Sequence, residues 1–181
     1  MRVLMISKAC IVGAYQTKLE ELAVLPDIDL AVVVPPYWQD RAGLLQLERK
    51  HVAGYELLVE PLVLNGNYHL HFYPGLGRQI RRFRPDLVHI DEEPYNLATA
   101  HALWLTRRAG VKSIFFSWQN IQRRYPMPFR LVERYVLERA DQGIVGSQES
   151  ATVWRAKGYS GPLTVIPVSY THLTLPTTPY V

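Results

Sequence analysis

The chain has 181 residues and a mass of 20.8 kDa, which suits one domain with its own apolar core. Hydrophobic residues make up 48% and charged residues 20%, so the composition excludes a disordered chain, and no apolar run approaches the roughly 20 residues that span a membrane. The formal net charge is +4, and the only cysteine, Cys10, excludes an intrachain disulfide and a cysteine-cluster zinc site. The apolar run at residues 3–6 is too short for a signal peptide, so a cytoplasmic protein is expected.

Six short apolar segments have the pattern of strands that are buried on both faces of a parallel sheet. Val, Ile and Leu follow one another in these segments without alternating polar residues, and helix-like stretches lie between most of them. The predicted strands are residues 3–7, 30–34, 87–90, 111–116, 143–145 and 163–166. This alternation predicts an α/β fold with a Rossmann-like, doubly wound and mostly parallel sheet.

The stretches between the strands show helical periodicity and helix-ending residues. Leu19, Leu22 and Ala23 fall on one helical face, and Ser147 is placed to cap the N-terminus of a helix that Gly158 ends.

One stretch, residues 55–73, breaks the alternation. Its Asn65-Gly66 pair is a strong hairpin signal and predicts a turn between two strands. His69 and His71 would share one face of such a strand, where a polar surface is expected rather than a metal site, because no third ligand lies nearby in sequence.

Ligands of doubly wound sheets bind beyond the carboxyl ends of the strands, so the residues that follow each predicted strand are the site candidates. Three carboxylates, Asp91, Glu92 and Glu93, follow one strand, and Tyr95 and Asn96 come next. Carboxylates in such a position can serve as a general base or accept hydrogen bonds from sugar hydroxyls. The alternative is an acidic first helical turn that the helix dipole favours.

Trp118, Gln119 and Asn120 occupy the same position after the next strand, where amides beside an aromatic ring suit sugar hydroxyls and ring faces. The alternative is an ordinary capped loop. Arg123 and Arg124 follow and can meet phosphate or lipid headgroups, or lie on an exposed surface without a ligand.

Gly13 lies in the first loop between strand and helix. A glycine there lets backbone N–H groups approach a phosphate.

The order and spacing of these segments resemble the N-terminal, acceptor-side domain of family 4 glycosyltransferases, which have the GT-B fold. The resemblance covers roughly residues 1–168. Its pieces are RVLMIS with Gly13 after it, RPDLVHIDEEPYN, FFSWQN, RLVERYVLERADQGIVGSQESATVWRAKGY and PLTVIPV.

The resemblance implies a retaining transfer of a sugar from a nucleotide-sugar donor, which is a substrate and not a cofactor, to an acceptor on this domain. It also implies a second, donor-binding domain that is missing here, so the chain alone is expected to be inactive. Gly13 matches the glycine loop that approaches the donor phosphates. Many relatives have a histidine where this chain has Gln119 or Asn120, and an amide can bond to a sugar but cannot transfer a proton.

The chemistry of the residues after the predicted strands and the resemblance together give the candidate contact residues. The acceptor or sugar candidates are Glu92, Glu93, Tyr95, Asn96, Trp118, Gln119 and Asn120. Arg123 and Arg124 are candidates for contact with an anion or with the inner face of the membrane, and no resident metal or cofactor is expected. A nucleic-acid partner is disfavoured because no basic face is interleaved with aromatic residues.

Residues 169–181 do not fit the domain, since they lack charged residues and hold four of the nine threonines. They are expected to be a non-native or disordered tail after a domain of residues 1–168. The competing hypothesis is a stand-alone Rossmann-like module that binds a small ligand without catalysis. A nicotinamide-dependent enzyme is disfavoured because Gly75-x-Gly77 lacks the third glycine of the dinucleotide fingerprint.

Overall fold

The computed structural model describes residues 1–167, so the predicted tail lies outside the described residues. In chain order, the strands are β1 (Arg2–Ile6), β2 (Asp29–Val34), β3 (Tyr37–Asp40), β4 (Gly43–Gln46), β5 (Glu56–Val59), β6 (Leu87–Ile90), β7 (Lys112–Ser117), β8 (Gln142–Val145) and β9 (Leu163–Val165). The α-helices are α1 (Thr17–Ala23), α2 (Leu76–Phe83), α3 (Leu97–Arg108), α4 (Phe129–Arg139) and α5 (Gln148–Ala156).

Seven strands form one parallel sheet in the order β5-β2-β1-β6-β7-β8-β9. This arrangement confirms the predicted Rossmann-like α/β fold. The order reverses between β1 and β6, because the chain runs outward from β1 to β2 and β5 and then outward on the other side from β6. The loops that leave β1 and β6 therefore part at the carboxyl edge and leave a crevice, and the pairing of Ile6 with Ile90 sets Ser7 beside Asp91.

The core has two layers, one on each face of the sheet. Helices α2 to α5 pack on one face around fully buried residues such as Leu4, Phe115 and Trp154. Helix α1 covers the other face through Leu19, which packs against Met5 and Val32. None of the helices within residues 1–167 has the length and apolar content that crossing a bilayer requires.

The predicted hairpin at Asn65-Gly66 is wrong in detail. The turn forms, but the segments on its two sides are joined by a single antiparallel bridge, between Val63 and Phe72. The Asn65 side chain instead bonds to the backbone of β3, accepting from the Gln39 N–H at 2.9 Å. His69 and His71 consequently lie in a turn and its exit rather than on one strand face.

The hairpin that does form is the ribbon β3–β4, which sequence patterns did not predict. The Lys8 ammonium lies 4.5 Å from the centre of the Trp38 ring of β3, so the ribbon stands at the carboxyl edge beside β1. Strand β5 was also missed, since its four residues lie inside the stretch that breaks the alternation.

Ser147 caps α5 as predicted, since its Oγ accepts the Ser150 N–H at 3.2 Å. Replacing Ser147 with alanine leaves that N–H without its side-chain partner, and we expect a loss of about 1 kcal/mol in the free energy of unfolding. Urea denaturation checks this value, with Ser160→Ala as the control because Ser160 is exposed and outside any helix. Equal stability of the two variants would contradict the capping role.

Candidate functional site

The three consecutive carboxylates after β6 point to three different sets of partners. Asp91 accepts hydrogen bonds from Ser7 Oγ at 2.7 Å and from Lys18 Nζ at 2.9 Å. Burial is the largest influence and acts to raise the pKa of Asp91, but the Lys18 ammonium, His89 and the hydrogen bonds from Lys18 and Ser7 together hold that pKa below its ordinary value. Asp91 is thereby neutralised on the α1 side of the sheet, which weakens its repulsion of the two carboxylates that follow it.

Glu92 is buried, with 7% of the residue exposed, and braces the loop after β1. Its Oε1 accepts the Lys8 N–H at 3.2 Å and lies 3.6 Å from His71 Nε2, while Asn96 Nδ2 lies 3.4 Å from its Oε2. His71 is itself fully buried and bonds through Nδ1 to the Asn67 carbonyl at 2.9 Å. The buried Glu92 therefore links the loop after β1, the segment that contains His71 and the start of α3, which Asn96 precedes.

Glu93 joins the ends of β6 and β7. Its Oε2 accepts from Ser117 Oγ at 2.5 Å, and its Oε1 accepts from the Trp118 N–H at 2.8 Å. Burial raises the pKa of Glu93 to about 7, although these two hydrogen bonds lower it. A carboxyl group of this kind can take up or release a proton near neutral pH, which suits acid–base work.

The segment after β7 places an aromatic ring and amides beside Glu93. Trp118 is 48% exposed and packs edge-on against Phe116, with ring centres 5.2 Å apart. The Gln119 N–H donates to Ser117 Oγ at 3.1 Å, its side-chain oxygen accepts from Lys157 Nζ at 3.1 Å, and Asn120 is exposed. The predicted group of Trp118, Gln119 and Asn120 is thus assembled at one strand end.

A cluster of aromatic rings forms around Tyr95, two residues after Glu93. The Tyr95 and Tyr125 rings stack with centres 4.4 Å apart, and the His69 ring lies 5.5 Å from Tyr95 and 5.1 Å from Phe129. Burial raises the pKa of the Tyr95 hydroxyl above its ordinary value. The sequence did not predict that Tyr125 and Phe129 belong to this cluster, because they lie about 30 residues after Tyr95.

Arg123 and Arg124 lie on the surface between Trp118 and α4, as do several exposed apolar side chains. Ile121 is 60% exposed and Met127 is 62% exposed. The exposed arginines and apolar groups therefore share one segment.

Gly13 is buried in the loop between β1 and α1. Its N–H donates to Glu48 Oε2 at 2.7 Å, and Lys50 Nζ lies 3.2 Å from the same oxygen. The Gly13 N–H, which the sequence predicts to approach a phosphate, therefore donates to a carboxylate of this chain.

A mostly apolar groove of about 780 Å³ lies on the α1 side of the same edge. Met5 and His89 form part of its floor, Lys18 and Asp91 supply a charged pair, and Trp118 borders it. Within residues 1–167, no three His, Cys, Asp or Glu side chains converge in a way that could hold a metal ion.

Comparison with known proteins identifies a family that the sequence matches. The sequence model described as Glycosyltransferase Family 4 matches residues 27–168. None of the curated proteins that were compared matches the chain.

Solved structures share the fold at low sequence identity. A sucrose-phosphate synthase from Thermosynechococcus elongatus is 14% identical, with 94% of this chain and 90% of that chain covered and a TM-score of 0.61. A UDP-N-acetylglucosamine 2-epimerase is 13% identical, with 96% and 53% covered and a TM-score of 0.64. Arabidopsis thaliana UGT89C1, solved in complex with UDP, is 13% identical, with 95% and 50% covered and a TM-score of 0.60.

The chain thus spans about half the length of the epimerase and of UGT89C1. These neighbours support the predicted Rossmann-like domain of a GT-B fold. Since the family model covers most of the sequence, the chain belongs to Glycosyltransferase Family 4.

Proposed function

We propose that this chain is the acceptor-side domain of a retaining glycosyltransferase that moves a sugar from a nucleotide-sugar donor to an acceptor hydroxyl. Family membership and the GT-B neighbours support glycosyl transfer, and they favour it over a stand-alone binding module. The observation that carries the proposal is the Glu93 carboxyl group, held between two strand ends beside the exposed Trp118.

In this proposal Glu93 receives a hydrogen bond or a proton from the acceptor hydroxyl, because its pKa lies near neutrality. Trp118 offers a flat apolar face for a sugar ring, and Gln119 and Asn120 supply amide groups for hydroxyls. The Tyr95–Tyr125 stack supplies a second aromatic surface close to the same strand end. Glu92 and Asn96 act as positioning residues, because both are buried and bonded within the protein.

The donor is proposed to bring its phosphates to the Gly13 loop and to be held mainly by a second domain. It is a substrate, and the proposed transfer uses no resident cofactor or metal. Without that second domain the chain is expected to bind an acceptor weakly and to be inactive in transfer.

Arg123 and Arg124, with Ile121 and Met127, are proposed to meet anionic headgroups at the inner face of the membrane, where basic and apolar groups bind together. The proposed location is therefore the cytoplasm, with peripheral contact at that surface.

Replacing Trp118 with alanine is expected to weaken acceptor binding about tenfold, because loss of an aromatic stacking face costs about 1.4 kcal/mol. The measurement is titration of this chain with methyl hexosides, followed by NMR at the amides of Trp118 and Gln119. Trp104→Ala is a matched control, since Trp104 is 45% exposed but lies on α3. Equal effects of both variants, or no saturable shift at Trp118, would contradict the proposal.

A further inference from the structure

The Gly13 N–H is enclosed by two charged side chains that come from a distant part of the sequence. An added Cβ at Gly13 would lie 2.7 Å from Glu48 Oε2 and 2.6 Å from Lys50 Cδ, so these two groups cover the glycine closely. Glu48 Oε2 sits between the Gly13 N–H at 2.7 Å and Lys50 Nζ at 3.2 Å. A backbone N–H and an ammonium on one oxygen are the partners that a phosphate oxygen would also take.

The backbone that carries Glu48 is held independently of its side chain. The Glu48 N–H donates to the Ile11 carbonyl at 2.9 Å, and its carbonyl accepts from Gln16 Nε2 at 2.6 Å. Gln16 is fully buried, and its Oε1 accepts the Lys50 N–H at 3.1 Å. The main chain of residues 48–50 is therefore anchored to the loop between β1 and α1 whatever the Glu48 carboxylate does.

The side chains themselves reach solvent. The Glu48 side chain is 36% exposed and the Lys50 side chain is 64% exposed. A rotation about the side-chain bonds of Glu48 can therefore move its carboxylate into water while the backbone stays in place. The bond to Gly13 is favourable when made, since the Gly13 N–H and then Lys50 hold the pKa of Glu48 below its ordinary value.

We propose that the Glu48 carboxylate is an internal, displaceable occupant of the position at Gly13, and that a donor phosphate enters by displacing it and then pairs with Lys50. Glu48 thus competes with the donor, and Lys50 is a phosphate contact supplied by the acceptor-side domain. The inference rests on the proposed function, because it takes a nucleotide-sugar phosphate as the incoming group. The competition would keep the Glu48 side chain over Gly13 until a more highly charged anion arrives.

The test is titration of the 181-residue chain with inorganic pyrophosphate, followed by NMR at the Gly13 amide. If Glu48 occupies the position about nine-tenths of the time, Glu48→Ala should lower the half-saturating pyrophosphate concentration about tenfold. Glu48→Gln should lower it by less, because its amide oxygen can still accept the Gly13 N–H without a charge. Lys50→Met should raise it, since the ammonium partner is lost.

Glu20→Gln is the matched control. The Glu20 carboxylate also accepts a backbone N–H from the same segment, that of Ala53 at 2.9 Å, but it does not bond to Gly13. The half-saturating pyrophosphate concentration of Glu20→Gln should equal that of the unaltered chain. The Gln variant of Glu48 keeps the size of the side chain and serves if the alanine variant does not fold.

Equal half-saturation in the unaltered chain and both Glu48 variants would overturn the proposal, since it would mean that phosphate does not compete with Glu48. Failure of the Gly13 amide to respond in any variant would also overturn it, because the position would then take no phosphate. Neither result bears on acceptor binding at Trp118, whose titration tests the proposed function separately.

Discussion

Replacing Lys157 with methionine is expected to lower the free energy of unfolding by about 3–5 kcal/mol, because it leaves a buried carboxylate without its counter-charge. Lys157 Nζ lies 2.5 Å from Glu133 Oε1, and only 7% and 10% of the two side chains are exposed. The same ammonium bonds to Gln119 Oε1 and lies 4.6 Å from the centre of the Trp154 ring. Urea denaturation at neutral pH measures the loss.

The control is the double variant Lys157→Met with Glu133→Leu. Removing both charges leaves no unpaired carboxylate, so most of the lost stability should return. If the double variant lost as much stability as Lys157→Met and Glu133→Leu lose when added together, the two residues would not be a coupled pair. Because Lys157 also holds Gln119, the single variant should shift the amide resonances of residues 118–120 as well.

Replacing Glu93 with glutamine is expected to change how stability depends on pH. Burial raises the pKa of Glu93 from 4.5 to about 7, so between these values the folded state keeps a proton that the unfolded chain has released. Stability therefore falls as pH rises through this window and stays lower above it, by about 3 kcal/mol. Glutamine carries no such proton, and it can still accept the Trp118 N–H and donate to Ser117 Oγ.

The expected result is that Glu93→Gln matches the unaltered chain near pH 4.5 and becomes about 3 kcal/mol more stable relative to it by about pH 8. Chemical denaturation at a series of pH values measures the difference. Glu138→Gln is the control, because Glu138 is ion-paired with Arg134 on the surface and its pKa is lowered. Parallel pH profiles for Glu93→Gln and the unaltered chain would show that burial does not raise this pKa.

The same substitution should have the opposite effect on transfer in a protein that also has the donor-binding domain. If Glu93 accepts the hydroxyl proton, activity should rise with pH around an apparent pKa near 7, and Glu93→Gln should abolish that rise. If Glu93→Gln gained stability and lost activity, the Glu93 carboxyl group would serve function while lowering the stability of the fold.

Local patterns in the sequence determined the layers of this fold. Continuous apolar runs such as Leu30–Val34, separated by helical stretches, are typical of strands that are buried on both faces of a parallel sheet, and this pattern depends on neighbours within a few residues. Ser147 acts through the N–H three residues later, so its capping role was also predictable. The position of Glu93 and Trp118 at adjacent strand ends followed from the topology that these patterns imply.

Only the tertiary structure decided what each polar group at that edge contacts. Asp91, Glu92 and Glu93 are adjacent in sequence, but their partners Lys18, His71 and Ser117 lie 20 or more residues away. The same holds for the bond of Gly13 to Glu48, which joins residues 35 positions apart. Such pairings depend on how packed elements bring distant loops together, and the periodicity and turn chemistry of a sequence report only on nearby residues.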